Sequence, residues 1–112
     1  MPKRKTYRIL LSLHDRIDVD LEFEKRSGRA PRIRRFAVTY SAWIEEGWRE
    51  VVRYDNFHGY LHRQRFWRSG EPERIRGHER PLSDAVLDAC REDLRRNWKR
   101  YRALMEARIR EE

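Results

Sequence analysis

From Ile17 to Glu24 the sequence reads IDVDLEFE, with Ile17, Val19, Leu21 and Phe23 alternating strictly with Asp18, Asp20, Glu22 and Glu24. A period of two is the repeat of an extended strand with one apolar and one polar face, and no helix can segregate such a run. The segment therefore demands a sheet that is covered on one side and wetted on the other. Its acidic row has two readings. One is a cation site. The simpler is a solvated face, because acids at every second position of a strand lie in a line and do not converge. Arg side chains of a neighbouring strand would then pair with them.

The rest of the chain supplies the partners. After a basic lead-in, MPKRK, Tyr7, Ile9, Leu11 and Leu13 fall on one side of a first strand, and His14-Asp15-Arg16 reads as a tight connection. Residues 25–32 hold Ser27, Gly28 and Pro31 and read as a loop. A third strand over 33–44 places Phe36, Val38, Tyr40, Ala42 and Ile44 on one face. Glu45-Glu46-Gly47 closes a hairpin, with Gly47 expected to supply the positive φ of the turn. A fourth strand follows over 48–55, then a turn at Asn56-Phe57-His58-Gly59 and a fifth strand over 60–67. From Pro81 onward Leu82, Val86, Cys90, Leu94, Trp98, Tyr101, Met105 and Ile109 recur every three or four residues, one apolar stripe of a long helix. Ser83 is its expected cap, and Asp84 suits the first turn. The fold expected is thus α+β, a single domain over 1–112. An antiparallel five-stranded meander within about residues 6–67 is covered on one face by one long C-terminal helix, about residues 82–110.

Charged residues make up 41% of the chain, well above the roughly 25% of an average globular protein, so the core must be small. No apolar run approaches the roughly 18 residues of a membrane span, and the run at 9–13 is too short for a secretory signal. The single cysteine, Cys90, excludes an internal disulfide framework, fits a reducing compartment and gives a cytoplasmic expectation. On the apolar stripe it reads as a buried structural thiol. Lys and Arg total 27 against 19 Asp and Glu, a net charge of +8, and 23 of those cations are Arg. Arg offers a planar fork of donors that suits phosphate and stacks on bases, which makes RNA a candidate partner. An Arg-rich but merely solvated surface is the competing reading. The candidate contact residues are Arg29, Arg32, Arg34 and Arg35 of the basic loop and third strand, Arg63 and Arg65 of the fifth strand, and Arg95, Arg96 and Lys99 of the helix.

Reactive side chains are densest in VVRYDNFHGYLHRQRFW, residues 51–67. With a four-residue turn at 56–59, Asp55 would face Tyr60 and Arg53 would face His62. Arg53, Asp55, Tyr60 and His62 would then share one face, with His58 projecting from the turn beside them. A one-residue change in turn length would scatter them. Such a set suits RNA cleavage without a metal or cofactor. Histidines His58 and His62 would act as acid and base, Arg53 would hold the phosphate with Arg63 or Arg65 nearby, and Asp55 would orient a histidine. Tyr54 or Tyr60 would donate a proton or stack on a base. Two other readings stay open: ordinary turn hydrogen bonds with surface histidines, and a metal site of Asp55, His58 and His62. His14-Asp15 and His78-Glu79 read as solvated loop pairs.

Arg53-Tyr54-Asp55-Asn56, followed by His58-Gly59 and His62, resembles the Arg-Tyr-Asp-Asn motif and trailing histidines of TumE-type toxins of prokaryotic toxin–antitoxin systems. It is similar as well to small uncharacterised prokaryotic proteins that share that strand and turn. The histidine-rich stretch of that group is reduced here to His62, followed by Gln64 and Arg65. The resemblance implies a compact toxin domain acting on RNA and held by a cognate antitoxin protein. A non-enzymatic, Arg-rich nucleic-acid-binding domain is the alternative expectation, and a small protein-interaction domain a third.

Overall fold

The computed structural model describes residues 2–57, 59–76 and 84–112. Among these residues six strands form one antiparallel sheet in sequence order: β1 (Lys3–Ser12), β2 (Asp15–Arg26), β3 (Arg29–Ile44), β4 (Gly47–Asp55), β5 (His62–Arg65) and the two-residue β6 (Glu73–Arg74). The helix described, α1 (Asp84–Arg110), lies across one face, chiefly against β3 and β4. The architecture is the expected α+β meander, with β6 added at its edge. The expected helix start at Leu82, the Ser83 cap and the His78-Glu79 pair lie outside the described residues.

Register follows the hydrophobic pattern. Ile17 faces Ile9 and Tyr40, and Val19 faces Tyr7 and Val38, so the apolar rows of three strands line up. Phe36, Val38, Tyr40, Val51, Val52 and Leu94 are fully buried between sheet and helix. Burying a side chain of this size contributes about 1.5–3 kcal/mol relative to exposure, so these strands and this helix cannot separate cheaply.

The first three connections are tighter than the sequence suggested. The first turn is Leu13-His14, with Asp15 and Arg16 already in β2; Leu13 sits at the tip, 91% exposed, and leaves the apolar row. Only Ser27-Gly28 turns between β2 and β3, so most of the expected loop over 25–32 is strand. Gly28, at φ 68°, is where a side chain would be strained. In the β3–β4 hairpin the positive φ falls on Glu45 (51°) and Glu46 (65°), not on Gly47. Two successive left-handed residues are what a two-residue type I′ turn needs, and here two glutamates adopt them.

Polar groups inside the structure anchor it. Asp15, 4% exposed, accepts hydrogen bonds from Ser12 Oγ (2.6 Å), Tyr40 Oη (2.6 Å) and Arg102 Nη1 (2.8 Å). Arg102 also donates to the carbonyls of Trp43 and His14, so α1 is tied to the turn end of the sheet. Asp93 accepts from Tyr54 Oη (2.7 Å), Tyr101 Oη (2.8 Å) and Asn97 Nδ2 (2.8 Å), joining α1 to β4. Arg91 ties α1 to the sheet as well, bonding the Tyr7 hydroxyl. No helix among the described residues is long and apolar enough to cross a membrane.

Candidate functional site

The sheet face away from α1 is polar and open. On it the register sets Asp20 beside Ala37, Ala37 beside Asp55 and Asp55 beside His62; the next row runs Asp18, Thr39, Arg53, Gln64. Small residues at Thr6, Ala37 and Thr39 leave a trough of about 480 Å³, walled by Arg8, Arg53 and Phe57. A second hollow of about 480 Å³ lies beside it, lined by Asp55, Phe57, Tyr60, His62, Glu71 and Pro72. Phe57, 38% exposed, stands between the two. The guanidiniums of Arg35 and Arg53 lie over its ring, 4.6 and 5.4 Å from the centroid.

Asp55 faces His62 rather than Tyr60, and Arg53 faces Gln64 rather than His62. The reason is Asn56. Its side chain turns inward, 4% exposed, accepting from the Phe36 N–H (2.7 Å) and donating to the Arg34 carbonyl (3.2 Å). The chain therefore needs residues 56–61 to connect β4 to β5, two more than expected. A slip by an even number keeps every side chain on its face. Arg53, Asp55 and His62 consequently still share the open side, and Tyr60 joins them from the connection rather than from a strand.

The contacts inside the cluster are specific. Arg53 Nε lies 3.3 Å from Asp55 Oδ2, and His62 Nδ1 lies 3.7 Å from Asp55 Oδ1. Asp55 Oδ1 also accepts from the Phe57 N–H at 3.1 Å, which fixes the carboxylate between the imidazole and the turn. The Tyr60 and His62 rings meet edge to face at 4.2 Å, and Arg74 covers Tyr60 at 4.4 Å. His62 and Asp55 are mostly buried and Arg53 about one-third exposed, so the guanidinium is the most accessible of these three groups. His58 lies outside the described residues, and with it the metal reading that required it. Among the described residues no group of three or more His, Cys, Asp or Glu side chains is placed to hold a metal ion.

The other expected contact residues divide between surfaces. Tyr54 points to the helix side. Burial and its bond to Asp93 push its hydroxyl well above the ordinary phenol range, so it serves the core rather than proton donation. Arg63 and Arg65, paired with Tyr54 and Val52, stand on the helix side as well, both 2.8 Å from Glu73, and so are not beside Arg53 as a second phosphate clamp. Burial works against the charge of Arg63, but its bonds to Glu73 and Tyr54 outweigh this and raise its pKa. The acidic row of β2 is paired as a solvated face would be, Asp18 with Arg8 and Asp20 with Arg4, and Glu24 pairs with Arg34 from β3. The Arg4 guanidinium holds Asp20 below the usual carboxylate range. Arg29 and Arg32 are exposed at the β2–β3 end, while Arg95, Arg96 and Lys99 lie on exposed positions of α1, the element that covers the opposite sheet face. Sequence reasoning missed Asp15 and Asn56 as buried anchors and Asp93 as a part-buried one; an acid or amide amid apolar periodicity is their only trace.

The chain matches over residues 1–110 the model of a family described as a domain of unknown function, DUF7718, and belongs to that family. No curated protein and no solved structure matches it.

Proposed function

We propose that this DUF7718 protein is a toxin-like ribonuclease that cleaves RNA without a metal on the open face of its sheet. The observation that carries the reading is the Asp55–His62 pair across β4 and β5, with Arg53 on the same face beside an open trough. Asp55 at Nδ1 orients the imidazole and makes Nε2 the proton-transfer nitrogen. Arg53 neutralises the charge that builds on phosphorus as the ribose 2′-oxygen attacks. Phe57, flanked by two guanidiniums, gives a flanking base a surface to stack on. The 2′-hydroxyl proton goes to one base and the departing 5′-oxygen takes a proton from one acid, leaving a 2′,3′-cyclic phosphate. His62 is one of these groups, and His58, four residues upstream, is assigned the other. The TumE-type resemblance over residues 53–62 supplies the setting, a cytoplasmic toxin restrained by a cognate antitoxin.

The test is cleavage of a defined RNA by purified protein in excess EDTA. Loss of a general acid or base costs about 10²–10⁴ in rate, so His62→Ala and His58→Ala should each fall by that factor. Cleavage that persists at the same rate in the double variant, or no cleavage by the wild type, removes the enzymatic reading. Wild type and His62→Ala that are equally harmless on expression would weigh against it too. The Arg35–Phe57–Arg53 platform supports one other reading, RNA binding without cleavage. That reading predicts salt-dependent binding that weakens in Phe57→Ala and leaves the RNA intact.

A further inference from the structure

β1 forms one edge of the sheet, and among the described residues no strand pairs with its outer side. It is ten residues long, carries Lys3, Arg4, Lys5 and Arg8, and contains no carboxylate. Its apolar row, Tyr7, Ile9 and Leu11, is only half buried, while its partners Val19 and Ile17 on β2 are closed off. The helix explains the difference, since it lies chiefly against β3 and β4 rather than over this edge. A groove of about 610 Å³ is left on the apolar side, lined among others by Lys5, Tyr7, Phe23, Ile33, Leu87 and Arg91.

The protein itself shows what β1 accepts. On its inner edge sits β2, whose apolar side chains meet Tyr7 and Ile9 while Asp20 and Asp18 meet Arg4 and Arg8 at 2.6 and 2.7 Å. We propose that the outer edge of β1 is a docking site for an extended segment of a protein partner in which apolar and acidic residues alternate. Backbone groups of the segment would continue the ladder, its apolar side chains would cover Tyr7, Ile9 and Leu11, and its acids, on the opposite face, would share the exposed Arg4 and Arg8 guanidiniums with Asp20 and Asp18. A second copy of this chain fits poorly, because a β1–β1 pairing would bring eight cations and no acid to one seam. Thr6 and Arg8 also line the open-face trough, so the occupant would border that trough. The inference does not depend on cleavage of RNA.

A labelled peptide of residues 15–24, DRIDVDLEFE, serves as the probe, with a control of the same composition in which the apolar residues are clustered. Fluorescence anisotropy against the full chain should show binding of the alternating peptide alone. Hydrogen exchange should slow over residues 3–12, and Arg4→Glu/Arg8→Glu, both at exposed positions on the acid-facing side of β1, should weaken binding at least tenfold with an unchanged circular dichroism spectrum. Equal binding of the clustered peptide, protection that falls on α1 instead, no binding, or an unaffected double variant would overturn the proposal. His62→Ala should bind the peptide as the wild type does, which separates this result from the fate of the ribonuclease reading.

Discussion

Replacing Asp15 by Asn should destabilise the fold by about 3 kcal/mol at pH 7, and by less in acid. The carboxylate is 4% exposed and accepts from Ser12, Tyr40 and Arg102 at 2.6, 2.6 and 2.8 Å. An amide keeps one acceptor oxygen and sets an N–H₂ group against donors. About two bonds to a charged group are then lost, at roughly 1.5–3 kcal/mol each, and Arg102 loses its buried counter-ion. We place the cost near the lower end of the resulting range because Arg102 is one-quarter exposed. Burial raises the Asp15 pKa, but the three hydrogen bonds and the Arg102 charge outweigh it, so the folded value lies below the ordinary one. A depressed carboxylate stabilises the fold above its unfolded pKa, about 3.9, and that contribution fades as pH falls through the folded value. Urea denaturation of wild type and variant at pH 7, 5, 4 and 3 measures the effect. The gap should be steady from pH 7 to 5 and narrow below about pH 4. A gap under about 1 kcal/mol at pH 7, or one as wide at pH 3 as at pH 7, would refute the reasoning.

Glu45→Asn with Glu46→Gly should stabilise the hairpin by about 1–2 kcal/mol, seen as a higher urea midpoint, because both residues hold positive φ in a turn that favours Asn-Gly. Asn56→Ala should cost about 2–3 kcal/mol by the same measurement, since it strands the Phe36 N–H and the Arg34 carbonyl; a loss below 0.5 kcal/mol would mean the connection is not held by this amide. Cys90, whose thiol is pushed up to about 12 chiefly by burial, should resist a thiol reagent at pH 8 in the folded protein and react fully in denaturant. If RNA binds the open face, Arg35→Ala should weaken binding and lower its salt dependence, while Arg95→Ala/Arg96→Ala on α1 should leave both nearly unchanged; the reverse pattern in filter binding would move the interface to the helix.

Strand identity and facing were legible in the sequence because they depend on period alone. Ile17 and Val19 of the alternating run, the apolar row from Phe36 to Ile44 and the helical stripe through Leu94 bury the side the spacing assigns, while Leu21 and Phe23 are only part-buried. Arg53, Asp55 and His62 stayed on one face for the same reason, since an even slip of register preserves the side on which a residue stands. Turn details were not legible. Local chemistry put the positive φ on Gly47, whereas the pairing of Ile44 with Gly47 forces it onto Glu45 and Glu46. Nor could the sequence divide its arginines. Arg102 folds onto Asp15, Arg91 onto Tyr7, and Arg63 and Arg65 onto Glu73, while Arg35 and Arg53 flank Phe57. Periodicity is a local property and survives any arrangement that buries the apolar side. The partner of a long charged side chain depends on residues tens of positions away, and only the assembled sheet and helix bring those within reach.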